Sequence, residues 1–326
     1  LALRLARTHT GAKHMITPQH GYFGNTTGTV DMSAYKFASP RATAGGLSQP
    51  DWVHLVDVAD DYRGQYRRDN AHAGALYAQQ VALHIDALQT KGEQIAGFMA
   101  ETFPSVGGQI VPPSGYLEHV YEHVRKAGGL CIADEVQTGL GRLGDYYFGF
   151  EQQNVVPDIV VLGKPIGNGH PIGVVVTSPA IAASFAQGPE FFSTFGGSNL
   201  SCAVGAEVLR IVEDEQLMAN AKQMGKLLFA GLRKQQQEHA CIGDVRGYGL
   251  FVGVDLISDQ GSRKPATQIA DYVKNRMREE RILMGSEGPD DNVLKIRPPL
   301  TISAQDVNHL LHVLDKVLHE VRVLSS

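Results

Sequence analysis

Two short stretches hold side chains whose types and placement could do chemistry together. In Leu130-Cys131-Ile132-Ala133-Asp134-Glu135 an apolar run delivers two acids at its end. In Asp158-Ile-Val-Val-Leu-Gly163-Lys164-Pro165-Ile166-Gly167-Asn168-Gly169 a second apolar run ends on a lysine within a Gly/Pro-rich loop. Short apolar runs of this kind read as buried strands, and open α/β sheets bind ligands beyond the carboxyl ends of their strands. A lysine just past a buried strand is partly desolvated, which lowers its pKa and frees the amine to attack a carbonyl. Each stretch also has a purely structural reading: Asp134 or Glu135 capping a turn, and Lys164 as an exposed loop lysine.

Taken together, an acid on one strand end and a lysine on another suit a seat for pyridoxal 5'-phosphate (PLP). The carboxylate would pair with the pyridine nitrogen and keep it protonated, so that the ring accepts the electrons left at a substrate's α-carbon. The lysine would hold the cofactor and shuttle a proton as general base.

The elements that must position these groups alternate along the first two thirds of the chain. Apolar runs at Met15-Ile16, Ile95 to Ala100, Leu130 to Ala133, Ile159 to Leu162 and Val174 to Thr177 read as strands. Helical patterns at about 71–91, 116–127 and 179–187 separate them, as in a mostly parallel sheet covered on both faces. Long helices over about 199–238 lead to a strand at 250–256, a helix at 266–278, a strand at 293–296 and a last helix from Ser303, a plausible cap, to Val323. The stretch 39–70 has weak periodicity and reads as loop. This divides the chain into a large domain, 1–205, and an interdomain helix with a small α+β domain, 206–326.

Composition agrees with a folded enzyme: among 326 residues, 43% are hydrophobic and 19% charged, enough for about two domains of roughly 150 residues. A net charge of −5 argues against nucleic acid as a partner. The apolar stretches, Ile172 to Val176 among them, are too short to span a bilayer. Three scattered cysteines, Cys131, Cys202 and Cys241, suggest reduced thiols and a cytoplasmic location. Leu1 to Arg7 reads as the middle of a helix without a cap, so the chain is expected to continue upstream.

In family order, six strings make the sequence resemble the class III aminotransferases, PLP enzymes of fold type I. They are Tyr22-Phe23-Gly24, Glu101 in Met-Ala-Glu-Thr-Phe, Asp134-Glu-Val136-Gln137-Thr-Gly, Gly163-Lys164-Pro-Ile-Gly-Asn-Gly, Ser193-Thr194-Phe-Gly-Gly and Leu294-Lys-Ile-Arg297-Pro-Pro. The resemblance implies a mostly parallel central sheet of the seven-stranded type, with helices on both faces, and a homodimer with shared active sites. It implies Lys164 as the Schiff-base lysine, Asp134 as partner of the ring nitrogen and Gln137 as partner of the phenolic oxygen. Val136 and Tyr22 would cover the two ring faces, with Phe23 and Gly24 beside them, and Glu101 would stand near the reacting carbon. Thr194 would reach the phosphate of the neighbouring subunit's cofactor, and Arg297 would clamp a substrate carboxylate through its fork. Relatives often carry His at the position of Phe23. The family's phosphate-binding loop, at a helix N-terminus, is expected upstream of Leu1.

Three other signals carry less. Gly139-Leu-Gly141-Arg-Leu-Gly144 fits a dinucleotide fingerprint but lacks a helix after it. His119-Val-Tyr-Glu122-His123 fits an inverted zinc-peptidase pattern on what reads as a solvated helix face. Arg63, Arg67 and Arg68 could bind an anion or simply be solvated. The function expected is transfer of an amino group between an amine or amino acid and a 2-oxo acid. A second reading is a phospho-lyase acting on ethanolamine phosphate or a related phosphorylated amine. It rests on likeness of Asp31-Met-Ser-Ala-Tyr-Lys-Phe, Val245-Arg-Gly-Tyr-Gly-Leu-Phe-Val-Gly-Val-Asp-Leu and Asn292-Val-Leu-Lys-Ile to the subgroup of ethanolamine-phosphate phospho-lyase and alanine-glyoxylate aminotransferase 2-like proteins. A third is a dimerising module without turnover.

Overall fold

A strand buried on both sides must be apolar throughout, and the computed structural model, which describes residues 1–39 and 42–325, builds its main sheet from such runs. In the first part of the chain these are β1 (His14–Pro18), β2 (Val53–Val56), β3 (Ile95–Glu101), β4 (Leu130–Asp134), β5 (Ile159–Leu162) and β6 (Val174–Thr177). They lie in the order β2-β1-β3-β4-β5-β6, parallel except for the antiparallel β5–β6 pair. Six strands make this sheet among the described residues, where the sequence leads one to expect the seven-stranded type. Every residue of β3 and β4 is buried.

Successive residues of a strand point to opposite faces, and here each face has its own apolar cluster. Ile16, Phe98 and Cys131 pack with Tyr77 and Val81 of α4 (Ala73–Thr90, after the short α1 (Ala2–Thr10), α2 (Thr27–Val30) and α3 (Ala34–Phe37)) and with Tyr121 of α5 (Tyr116–Lys126). Met15, Met99 and Ile132 pack with Leu5 of α1 and Ile181 of α6 (Pro179–Ala186). Helices therefore cover both faces, as the alternation of strand and helix in the sequence requires.

β2 falls within the stretch read as loop. It is an edge strand of four residues, Val-His-Leu-Val, hydrogen-bonded to β1 and only half buried, too short to display a period. Pro40 and Arg41 of that stretch lie outside the described residues.

The chain forms two compact units. One comprises Leu1–Pro104, Pro112–Gly139 and Phe148–Arg210; the other comprises Ser105–Val111, Leu140–Tyr147 and Ile211–Ser326. The crossing at 210/211 lies inside α7 (Asn199–Asp214). The second unit holds α8 (Leu217–Glu238), β7 (Ile242–Tyr248), β8 (Phe251–Asp259), β9 (Lys264–Pro265), α9 (Thr267–Glu279), β10 (Gly285–Glu287), β11 (Val293–Ile296) and α10 (Ala304–Ser325). Its antiparallel sheet runs β10-β11-β8-β7, with β9 on β8. Leu228, Leu232, Val254, Leu294 and Leu314 are among its core. Ser303 caps α10 as its sequence suggests: Asp306 N–H donates to Ser303 Oγ at 3.2 Å, and Ser303 N–H to Asp306 Oδ2 at 3.0 Å. β7 escapes a period-2 reading because it carries Asp244 and Arg246, both buried. Arg246 donates to Asp244, to Asp255 and to the carbonyl of Gly108, which lies in the excursion Ser105–Val111.

Candidate active site

The carboxyl ends of β3, β4 and β5 stop side by side, with Glu101 opposite Asp134 and Asp134 opposite Val161. Asp134 is 7% exposed, and its Oδ1 accepts the Val136 N–H at 2.9 Å. Burial pushes its carboxyl up to about 7, against the pull of that hydrogen bond and of the Lys164 charge. The two groups singled out first thus share one electrostatic environment.

Lys164 follows β5 by two residues and opens a 3-10 turn, Lys164–Gly167. Its φ of 27° is positive, a conformation that costs a non-glycine residue about 1–3 kcal/mol and that clusters at functional sites. Before it, Gly163 lies against Val136: a Cβ there would stand 3.3 Å from Val136 Cγ2. A side chain at 163 would displace the residue assigned to one face of the ring. Next to Val136, Gln137 has a buried Oε1 with no protein partner. Such an orphan costs about 1–3 kcal/mol and asks for a ligand group.

Tyr22, Phe23 and Gly24 form the loop after β1. The Tyr22 N–H donates weakly to Glu101 Oε1 at 3.4 Å, the Phe23 N–H donates to Ser33 Oγ at 2.9 Å, and Gly24 takes a φ of 119°. The Tyr22 ring meets Tyr35 edge-on at 6.2 Å. The first unit therefore gathers Tyr22, Glu101, Asp134, Val136, Gln137 and Lys164 around the ends of its strands. Thr194 sits within 186–197, every residue of which is exposed. Arg297 is exposed just after β11 in the second unit, beside a cleft of about 540 Å³ that Glu287, Lys295 and Pro298 also line.

Sequence reasoning missed Glu135 except as a turn cap. It is fully buried and accepts hydrogen bonds from Thr102 Oγ1 (2.7 Å), Thr138 Oγ1, Gly149 N–H (2.9 Å) and Phe150 N–H (3.0 Å). Four donors oppose the upward push of burial on its carboxyl. It pins the turn that follows Asp134, and an acid beside a strand end was its only mark.

The weaker motifs resolve as structure. Gly141 and Gly144 make positive-φ turns, with no helix starting on them. His119 and Glu122 are an exposed pair on α5. Arg68 pairs with Asp61 at 2.9 Å, Arg67 donates to Tyr62 O, and Arg63 lies over the Tyr62 ring.

Comparison with known proteins gives concordant matches. A family model described as aminotransferase class-III matches residues 1–318. A Drosophila melanogaster protein named alanine--glyoxylate aminotransferase 2-like is 46% identical over 316 residues, covering 95% of this chain and 63% of that protein. Ethanolamine-phosphate phospho-lyase homolog 1 of Caenorhabditis elegans is 39% identical over 330 residues, covering 98% and 70%. The chain thus spans less than two thirds of the fly protein's length. Among solved structures, a phospholyase from Arthrobacter in complex with phosphoethanolamine superposes with a TM-score of 0.89 at 38% identity, covering 98% of this chain and 74% of that one. A PLP-bound amine transaminase from an uncultivated Pseudomonas species superposes at 0.88 with 28% identity, covering 98% and 73%.

Proposed function

Because the chain belongs to the class III aminotransferases, we propose that it holds PLP and moves an amino group between an amine or amino acid and a 2-oxo acid. The observation that carries this is the pairing of Asp134 and Lys164 at neighbouring strand ends, each within reach of the other's charge. The residues present fit the cofactor. The raised Asp134 carboxyl asks for a cation such as a protonated ring nitrogen, and the orphaned Gln137 amide asks for a polar ring substituent. Val136 and Tyr22 would cover the ring faces, Lys164 would hold the aldehyde carbon, and Thr194 would serve the phosphate of a second subunit.

When bound, PLP supplies an aldehyde that links to amines and a ring that accepts electrons from the α-carbon. The protein's own groups then have defined tasks. Asp134 keeps its negative charge beside the ring, which a buried carboxylate does only when a cation is present. Lys164 Nζ takes the α-proton and returns it as general acid–base. Val136 and Tyr22 keep water from both faces. Arg297 holds the carboxylate of amino acid and 2-oxo acid through two parallel hydrogen bonds.

A second reading keeps the same site but expels phosphate from a phosphorylated amine; the matches at 38% and 39% identity to proteins named as phospho-lyases support it. A homodimer is supported by Phe191, Phe192 and Phe195, which flank Thr194 at 48%, 77% and 85% exposure. This reading needs neither membrane nor nucleic acid as a partner; no described helix is long and apolar enough to cross a bilayer, and the net charge is −5. Three cysteines, odd in number and scattered along the chain, support a cytoplasmic setting.

The test is borohydride reduction of the PLP-loaded full-length protein, followed by peptide mapping. A cofactor adduct on Lys164, absent in Lys164→Ala, is expected; an unmodified Lys164 peptide sinks the reading. Incubation with amino donors then separates the reactions. Pyridoxamine phosphate accumulates in a transaminase, whereas phosphate release from ethanolamine phosphate without any 2-oxo acid marks a phospho-lyase.

A further inference from the structure

Arg142 has no task in the reading above, yet its side chain grips the carbonyl next to Arg297. Its Nη1 donates to Pro298 O at 2.8 Å and to Leu250 O at 3.3 Å. Its own backbone is fixed in turn. Leu250 N–H donates to Arg142 O at 3.0 Å, and Gly249 lies so close that a Cβ there would stand 2.5 Å from the same oxygen. Pro298 and Pro299 bring no N–H donors; further along, Asn220 donates to Leu300 O and Ile302 O and the Ile302 N–H to Pro299 O, so at Pro298 itself the hold comes from Arg142.

Charge adds a second observation. Neither Arg142 nor Arg297 has a carboxylate partner within ion-pair distance among the described residues, and Glu287, the acid that acts on Arg297, is already bound by Lys295 at 2.8 Å. Burial and the Arg297 charge bring Arg142 down to about 10. Two guanidiniums that oppose one another without an ion-pair partner of their own are relieved when an anion arrives.

We propose that Arg142 is a positioning residue for carboxylate binding: by holding the Pro298 carbonyl it aims the Arg297 fork. This rests on Arg297 as the carboxylate clamp. Substrates without a carboxylate gain nothing from Arg142.

The test uses the PLP-loaded full-length protein with Arg142→Gln, Arg142→Lys, Arg297→Gln and the double variant Arg142→Gln/Arg297→Gln. Pyruvate and a carboxylate-free amine are followed by the cofactor spectrum, with thermal unfolding alongside. Arg142→Gln should weaken pyruvate binding about tenfold with kcat within about threefold, while the KM of the carboxylate-free amine stays within about twofold. Arg142→Lys, which keeps a charge and a donor, should recover part of the loss, and a fold defect would show as a lowered melting temperature in both variants. In the double variant Arg142→Gln should add nothing to Arg297→Gln, since its effect passes through Arg297. Equal losses on both substrates, additive losses in the double variant, or a silent Arg142→Gln beside a damaging Arg297→Gln overturn the proposal alone. If Arg297→Gln leaves pyruvate binding intact, the clamp reading itself fails and this one with it.

Discussion

Asp134 and Glu135 are adjacent acids at one strand end, and their surroundings separate them. Glu135 has four donors and is a structural anchor. Asp134 has one backbone donor and a carboxyl pushed up to about 7. Without cofactor, a folded pKa above the ordinary 3.8 means that stability is full below that value and falls as pH rises through about 7. The loss reaches about 4 kcal/mol, at ~1.4 kcal/mol per unit. A cationic ring would cancel it. The gain in melting temperature on PLP loading is therefore expected to grow from about pH 4 to about pH 7 and level off above, and Asp134→Asn should flatten that growth by removing the buried charge while leaving Lys164 in place. Parallel curves for the two proteins would refute it. The resemblance singled out Asp134, whereas the two acids by themselves did not separate, because burial and donor count come from Thr102, Gly149 and Phe150, distant in the chain.

At the scale of elements, β1, β2 and α4 bring His14, His54 and His84 together. His14 Nδ1 and His54 Nε2 share a hydrogen bond at 3.0 Å, His84 Nε2 lies 2.9 Å from Leu55 O, and His14 Nε2 lies 3.4 Å from Glu93. Burial first, then positive charge at His14, His84 and Lys91, lowers His54 to about 4, against an upward pull from Glu93. The native state thus keeps His54 neutral while the unfolded chain takes a proton below about 6.5. Its contribution is present above that pH and is lost as pH falls towards 4, a loss that solvent screening of this half-exposed ring holds to about 1 kcal/mol. Denaturant titrations should show this acid loss in the wild type and a shallower one in His54→Asn; identical slopes would dismiss the cluster as the cause. The strands of the first sheet were legible where an apolar run stands between helical patterns, as at β3, β4 and β5. β2, the carrier of His54, was not: only two of its four residues are buried, against a single neighbouring strand, and they leave no pattern.

For the whole molecule, the open question is association. Phe191, Phe192, Phe195 and Leu200 are exposed within ten residues, and monomers rarely leave so much apolar surface in one stretch. For the proposed homodimer, the double change Phe192→Ser/Phe195→Ser should shift the light-scattering mass of the full-length protein from dimer to monomer while its far-UV circular dichroism is kept. A dimer that persists unchanged would assign these side chains elsewhere. Fold class was readable from the alternation of runs, whereas the excursions Ser105–Val111 and Leu140–Tyr147 were not, since a loop's destination leaves no mark in local composition. Those excursions have a practical consequence. The boundary is crossed at Pro104, Val111, Gly139, Tyr147 and Arg210, so no single cut frees either half. Cassette exchange between relatives at one junction would leave orphaned loops in both products; a workable chimera must transplant all three segments of the C-terminal half together.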